Sequence, residues 1–172
     1  VMSEKKLYDP VRGLFESQGY FVACDMRGSS AFSIRLNDVV KRVDVAAVRW
    51  EDDAIRSVGV ECKSGDSWVK ALEALPQALF YRFVFDEVYI ATRKIISGLN
   101  RLESVLEAIG VGFIEVDDGK ARVVIPAKPS APLQGDMRRN VGRKAKVILT
   151  FAGIFGNGSV RVGRANKPYE VW

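Results

Sequence analysis

Two short apolar runs in the first third of the chain alternate with period two and end in charge. Arg42-Val-Asp-Val-Ala-Ala-Val-Arg-Trp50 and Ile55-Arg-Ser-Val-Gly-Val-Glu-Cys-Lys63 flank the polar stretch Glu51-Asp-Asp-Ala54, a pattern that predicts two strands and a tight turn. Folded as a hairpin about Asp52-Asp53, they set Val45 across from Val60 and Ala47 across from Val58 on an apolar face. Asp44 then falls opposite Glu61 on the other face. Lys63 returns to the carboxylate face two residues past Glu61, while Cys62 points into the core. Two carboxylates and a lysine on an otherwise apolar hairpin are costly to bury unless a cation balances them.

The remaining pattern predicts a mixed α/β domain. Leu7, Val11, Leu14 and Phe15 recur at helical spacing over Lys5 to Gln18, and Gly19 ends the run. Tyr20 to Cys24 reads as a short buried strand and Asp25 to Ser30 as a polar loop. Ala31 to Leu36 fits a strand and an extended loop equally well. After the hairpin, Asp66 or Ser67 is placed to cap a strongly apolar helix from Trp68 to about Phe85, in which Pro76 marks a kink or a break. Trp68 and Phe80 read as core. Glu87 to Thr92 predicts a strand and Gly98 to Ile109 a helix stopped by Gly110. Gly112–Val116 and Ala121–Ile125 predict two strands about the turn Asp117-Asp-Gly119. The order is α-β-β-β-α-β-α-β-β, ending near Ala127.

Composition narrows the chemistry. The 172 residues contain no histidine. This removes Ser-His-Asp hydrolysis, histidine general acid–base catalysis and His-ligated zinc or iron. Carboxylates, lysine, tyrosine and amides remain, which suit a hard oxygen-ligated ion, Mg²⁺ or Mn²⁺. Cys24 and Cys62 lie in apolar runs and read as buried free thiols. No run approaches a membrane span, and the first residues lack the apolar core of a signal peptide, so a cytoplasmic location is expected.

Charge is unevenly placed. Residues 1–127 hold 17 Lys/Arg against 19 Asp/Glu, whereas residues 128–172 hold nine against Asp136 and Glu170. The chain is therefore divided into a near-neutral domain, 1–127, and a basic extension, 128–172, that opens with the linker-like Lys128-Pro-Ser-Ala-Pro-Leu133. Arg138, Arg139, Arg143, Lys144 and Lys146 in this extension suit the phosphates of a polyanion, with DNA as the expected partner. The apolar run after Val147 is a candidate dimer contact.

Asp44, the Glu61-Cys62-Lys63 element, the preceding helix with Glu16, and Gln77-Ala-Leu-Phe-Tyr81 on the following helix resemble the PD-(D/E)xK nuclease superfamily. That superfamily includes restriction endonucleases, archaeal Holliday-junction resolvases and RecB-like nucleases. The likeness spans residues 5 to about 92 and departs from the pattern at Val43, where the family name has proline. It implies a restriction-endonuclease-like αβββαβ core, a mixed central sheet flanked by helices. It also implies a Mg²⁺-dependent deoxyribonuclease, commonly a homodimer. By the same resemblance Asp44, Glu61 and the carbonyl of Cys62 would hold the metal, and Lys63 would orient or deprotonate water. Gln77 and Tyr81 would face substrate or the attacking water, and Glu16 would bind the metal through water or ligate a second ion. Against these roles stand an exposed helix glutamate at Glu16 and a core tyrosine with a glutamine at its edge. Arg27, Ser29 and Ser30 lie in a loop entering the site region, where they read as phosphate contacts or as a simple polar loop. Within the resemblance, a junction resolvase or restriction-type enzyme stands first. A RecB-like single-strand nuclease and a non-catalytic nucleic-acid-binding module are the alternatives.

Overall fold

The computed structural model describes residues 3–25, 33–36, 39–51 and 54–130. Arg27, Ser29, Ser30 and all the predicted phosphate contacts from Arg138 to Lys146 lie outside them.

A six-stranded mixed sheet carries the fold, in the order β1-β4-β5-β6-β7-β8. Its strands are β1 (Phe21–Cys24), β4 (Val45–Glu51), β5 (Ala54–Cys62), β6 (Glu87–Arg93), β7 (Gly112–Asp117) and β8 (Lys120–Ile125). β1, β4 and β5 are antiparallel neighbours, β5, β6 and β7 run parallel, and β8 returns antiparallel. Two further strands that fall between β1 and β4 in sequence, β2 (Ser33–Leu36) and β3 (Val39–Arg42), form a separate antiparallel ribbon. The segment read as strand or loop is thus a strand, but outside the main sheet. The run taken as one strand from Arg42 divides at Val43-Asp44, where the chain leaves the ribbon and enters the sheet.

The hairpin register is the predicted one, with Val45 across from Val60, Ala47 from Val58 and Glu51 from Ala54. Alternation then sorts the side chains into two cores. Val45, Ala47, Val58, Val60 and Cys62 pack with Leu7, Tyr8, Val11 and Phe15 of the first helical segment. That segment is a 3₁₀ turn (Glu4–Leu7) continued by α1 (Tyr8–Glu16). Ala46, Val48, Ile90 and Phe113 pack on the opposite face against Ala78, Tyr81, Leu102 and Leu106.

The helix expected from Trp68 to Phe85 is two short helices, α2 (Trp68–Glu73) and α3 (Leu75–Tyr81), followed by a turn at Arg82–Val84. Pro76 explains the break: it has no N–H for the carbonyl of Leu72, and its ring crowds that turn. It sits instead in the first turn of α3, where the missing donor costs nothing. Ser67 is the cap of α2, accepting from the Lys70 N–H. Further along, α4 (Leu99–Ile109) ends at Gly110 with φ +71°, and Asp118-Gly119, both at positive φ, join β7 to β8 in the two-residue turn that suits strand twist. No helix among the described residues is long and apolar enough to cross a membrane.

Candidate functional site

β4 and β5 bring Asp44 and Glu61 to the same end of the hairpin, each by a different device. Glu61 follows strand alternation and points toward α3. It is 1% exposed. Its Oε2 accepts the Tyr81 hydroxyl at 2.7 Å and the Gln77 amide at 3.2 Å, and its Oε1 lies 3.0 Å from Lys63 Nζ. Asp44 sits in a bend, so Val43 and Ala46 share a face although they are three residues apart. The carboxylate consequently turns along the sheet rather than standing squarely on the Glu61 face. Its Oδ2 accepts the Cys62 N–H and its Oδ1 the Tyr8 hydroxyl, each at 2.8 Å.

Burial sets the electrostatics. It raises Glu61 most, the charge of Asp44 adds to this, and bonds from Tyr81 and Lys63 only partly offset the rise, leaving the carboxyl at about 7. Asp44 is raised by burial as well, against the opposing bonds from Cys62 and Tyr8. Burial would lower Lys63, but its bond to Glu61 and the charges of Glu61, Glu4 and Asp44 outweigh it and raise the ammonium. Lys63 therefore holds its proton, which suits charge neutralisation and hydrogen bonding rather than the removal of a proton from water.

Two solved structures are similar to this chain. A protein of unknown function from Silicibacter pomeroyi, SPO1766, superposes with a TM-score of 0.54 at 17% identity, covering 90% of this chain and 87% of its own. The protein of unknown function AF1548 gives 0.47 at 17% identity, over 64% of this chain and 57% of its own. The first likeness is one of fold alone. No protein-family model and no curated protein matches the sequence.

The donor set fits a hard divalent cation. Glu61 is buried and Asp44 half-buried, burial raises the proton affinity of both, and the Asp44 charge raises that of Glu61 further. Each keeps oxygen lone pairs beyond those its protein partners occupy. Among the described residues no third Asp, Glu, Cys or His joins them, so a cation held here would take any third protein oxygen from the main chain. The Cys62 N–H points at Asp44, and in an extended residue the carbonyl lies on the same side as the N–H. The Cys62 side chain is fully buried and its thiol pushed well up by burial, so only its carbonyl is available.

The other expected residues divide. Gln77 and Tyr81 share a face of α3, as their spacing implies, and that face meets Glu61. Yet Tyr81 is fully buried and its hydroxyl also lies 2.8 Å from the Arg42 carbonyl, so it is a positioning residue. Glu16 is not brought to the carboxylates: its side chain is 54% exposed and 3.8 Å from Arg12. It occupies the end of α1 that leads through Gly19 to β1, whereas the other end of the segment approaches the site.

That other end supplies two residues the sequence reading missed. Glu4 lies 3.8 Å from Lys63 Nζ, and Tyr8 bonds Asp44. The signal for Tyr8 was its place on the apolar stripe with Val11 and Phe15, where a phenol must find a partner for its hydroxyl. Nothing in the sequence pattern singles out Glu4.

Proposed function

We propose that this chain is a Mg²⁺-dependent DNA endonuclease on a restriction-endonuclease-like core. The observation that carries the reading is the buried Glu61 carboxylate beside Asp44 at the ends of adjacent strands, with the Lys63 ammonium 3.0 Å away. The topology is consistent with it. Setting the β2–β3 ribbon aside, α1, β1, β4, β5, the α2–α3 pair and β6 follow the αβββαβ order, three antiparallel strands and then a parallel one.

In this reading Asp44, Glu61 and the Cys62 carbonyl hold the cation. When bound, Mg²⁺ polarises the phosphate and acidifies a water. Hydrolysis forms one P–O bond from water and breaks one to the leaving sugar oxygen, which takes up a proton. Lys63 offsets phosphate charge and donates to oxygen beside Glu61. Tyr8, Gln77 and Tyr81 fix the two carboxylates so that little reorganisation accompanies the reaction. The basic residues from Arg138 to Lys146 would hold the DNA backbone with little regard to sequence, and a homodimer would present one site to each strand.

The test is incubation with Mg²⁺ and four-way junction, flap, linear duplex and single-stranded DNA, with Glu61→Ala as control. Cleavage that the control lacks is the expected result. Junction-limited cleavage would mark a resolvase, and cleavage of single strands a RecB-like enzyme. Binding without Mg²⁺-dependent cleavage of any of these would overturn the proposal.

A further inference from the structure

The parallel strands β5, β6 and β7 end together, and beside those ends lies a cavity of about 390 Å³ that the chemistry above does not use. Two continuous pieces of chain join it to the carboxylates. In the turn Glu4–Leu7, Glu4 reaches Lys63 while Lys6 and Leu7 line the cavity. From Lys63 at the end of β5, the chain runs through Gly65, whose carbonyl accepts the Arg93 N–H at 3.0 Å, to Asp66 in the cavity wall.

The wall is mixed in a particular way. Lys94 is neutralised by Asp117 at 3.0 Å, but Lys6 and Arg93 make no ion pair among the described residues. Beside them Ile96 is 86% exposed, and Asp66 and Asp118 add carboxylate acceptors. Free cations suit a phosphate, the exposed aliphatic Ile96 offers an apolar contact for the face of a base, and carboxylates suit exocyclic amino groups. The volume lies in the range of small-ligand sites. A base-paired nucleotide brings its complement with it and does not fit such a concavity, whereas an unpaired one does.

We infer that this cavity binds an unpaired nucleotide of the DNA strand whose phosphate lies at Asp44 and Glu61, and so selects DNA that is single-stranded beside the cut. Its placement relative to a cut rests on the nuclease reading; its affinity for single-stranded DNA does not.

The experiment compares fluorescence anisotropy of a labelled single-stranded oligonucleotide and its blunt duplex, in EDTA, for the wild type, Arg93→Ala, Arg93→Lys and Ile96→Asp. Arg93 and Ile96 are exposed, so the variants fold. The wild type is expected to prefer the single strand. Arg93→Ala should weaken that binding about tenfold and reduce its salt slope by about 0.7. Ile96→Asp should also weaken it, Arg93→Lys should keep most of it, and the duplex should be unaffected. No single-strand binding, or equal effects on both DNAs, or no effect of either Arg93→Ala or Ile96→Asp, overturns the inference. Cleavage with Mg²⁺ separates the two readings. Cleavage indifferent to pairing and to Arg93→Ala removes the inference and leaves the nuclease. Arg93-dependent single-strand binding without any cleavage removes the nuclease and leaves the cavity.

Discussion

The Asp44 carboxylate takes, at 2.8 Å, the Cys62 N–H that the carbonyl of Val43 would receive if β4 ran on in register. The main-chain carbonyl of Asp44 meanwhile accepts the Asp25 N–H at 2.9 Å. One residue thus closes the ladder to β5 with its side chain and to β1 with its backbone. Asp44→Ala leaves the Cys62 N–H and the Tyr8 hydroxyl without their acceptor and should cost about 1–3 kcal/mol. Asp44→Asn keeps an acceptor and removes a half-buried charge, so it should be at least as stable as the wild type while losing Mg²⁺-dependent cleavage. Urea unfolding at neutral pH checks this; equal losses in both variants would refute it.

Glu61 makes stability fall with rising pH. Its carboxyl is raised from 4.5 to about 7 by burial and by Asp44, so between these values the folded chain holds a proton that the unfolded chain has released. Its contribution is fully present below about pH 4.5 and is lost as pH rises through about 7, a change of about 3 kcal/mol at most. Glu61→Gln, which cannot ionise, should therefore be more stable than the wild type at pH 8 without divalent cations, and the gap should close by pH 5. A gap that is the same at both pH values would show that Glu61 titrates elsewhere.

Tyr81 carries one hydroxyl proton between two acceptors, Glu61 Oε2 at 2.7 Å and the Arg42 carbonyl at 2.8 Å. With Glu61 ionised the proton goes to Glu61. With Glu61 protonated, the carboxyl can donate to Tyr81, and Tyr81 to Arg42. The bond to Tyr81 lowers the Glu61 value, so Tyr81→Phe should raise it further and move the pH-dependent loss of stability upward. If Tyr81 only fills space, the variant would change stability by the same amount at every pH.

The hairpin, its register and the shared face of Gln77 and Tyr81 were legible because period two and period 3.6 fix which side chains share a face. That this face points at the site was expected only from the likeness of sequence. The bend at Asp44 was not. It depends on the chain leaving a two-stranded ribbon, and Arg42 to Trp50 carries no glycine or proline to mark the change. Glu16 was placed by likeness of sequence, but the direction in which α1 crosses the sheet brings Glu4 and Tyr8 to the carboxylates. Pro76 marked a break whose consequence, two short helices in place of one, follows from a single missing donor.

Gly59 lies two residues before Glu61, under the ring of Phe85. A Cβ there would stand 2.4 Å from Phe85 Cδ2. Phe85 is almost fully buried and cannot swing away without opening the core beside α3. Gly59→Ala should cost about 1–3 kcal/mol and, by displacing β5, reduce cleavage as well. Thermal unfolding checks the first effect, and a variant as stable as the wild type would mean that the ring has room to move.

A divalent cation should reverse the penalty that Asp44 and Glu61 place on the fold. Mg²⁺ bound by the folded chain alone stabilises it by RT ln(1 + [Mg²⁺]/Kd), about 1.4 kcal/mol at tenfold excess over Kd and about 2.7 kcal/mol at a hundredfold. The effect should be largest above pH 7, where Glu61 is ionised, and should shrink toward pH 5, where protons compete for Glu61. Asp44→Asn and Glu61→Gln should each lose most of it, whereas Glu16→Gln, remote from the pair, should keep it. The readout is the change in unfolding temperature on adding Mg²⁺ against an equal ionic strength of NaCl. A Mg²⁺ shift that survives both Asp44→Asn and Glu61→Gln would place the ion elsewhere and remove the metal from the proposed mechanism.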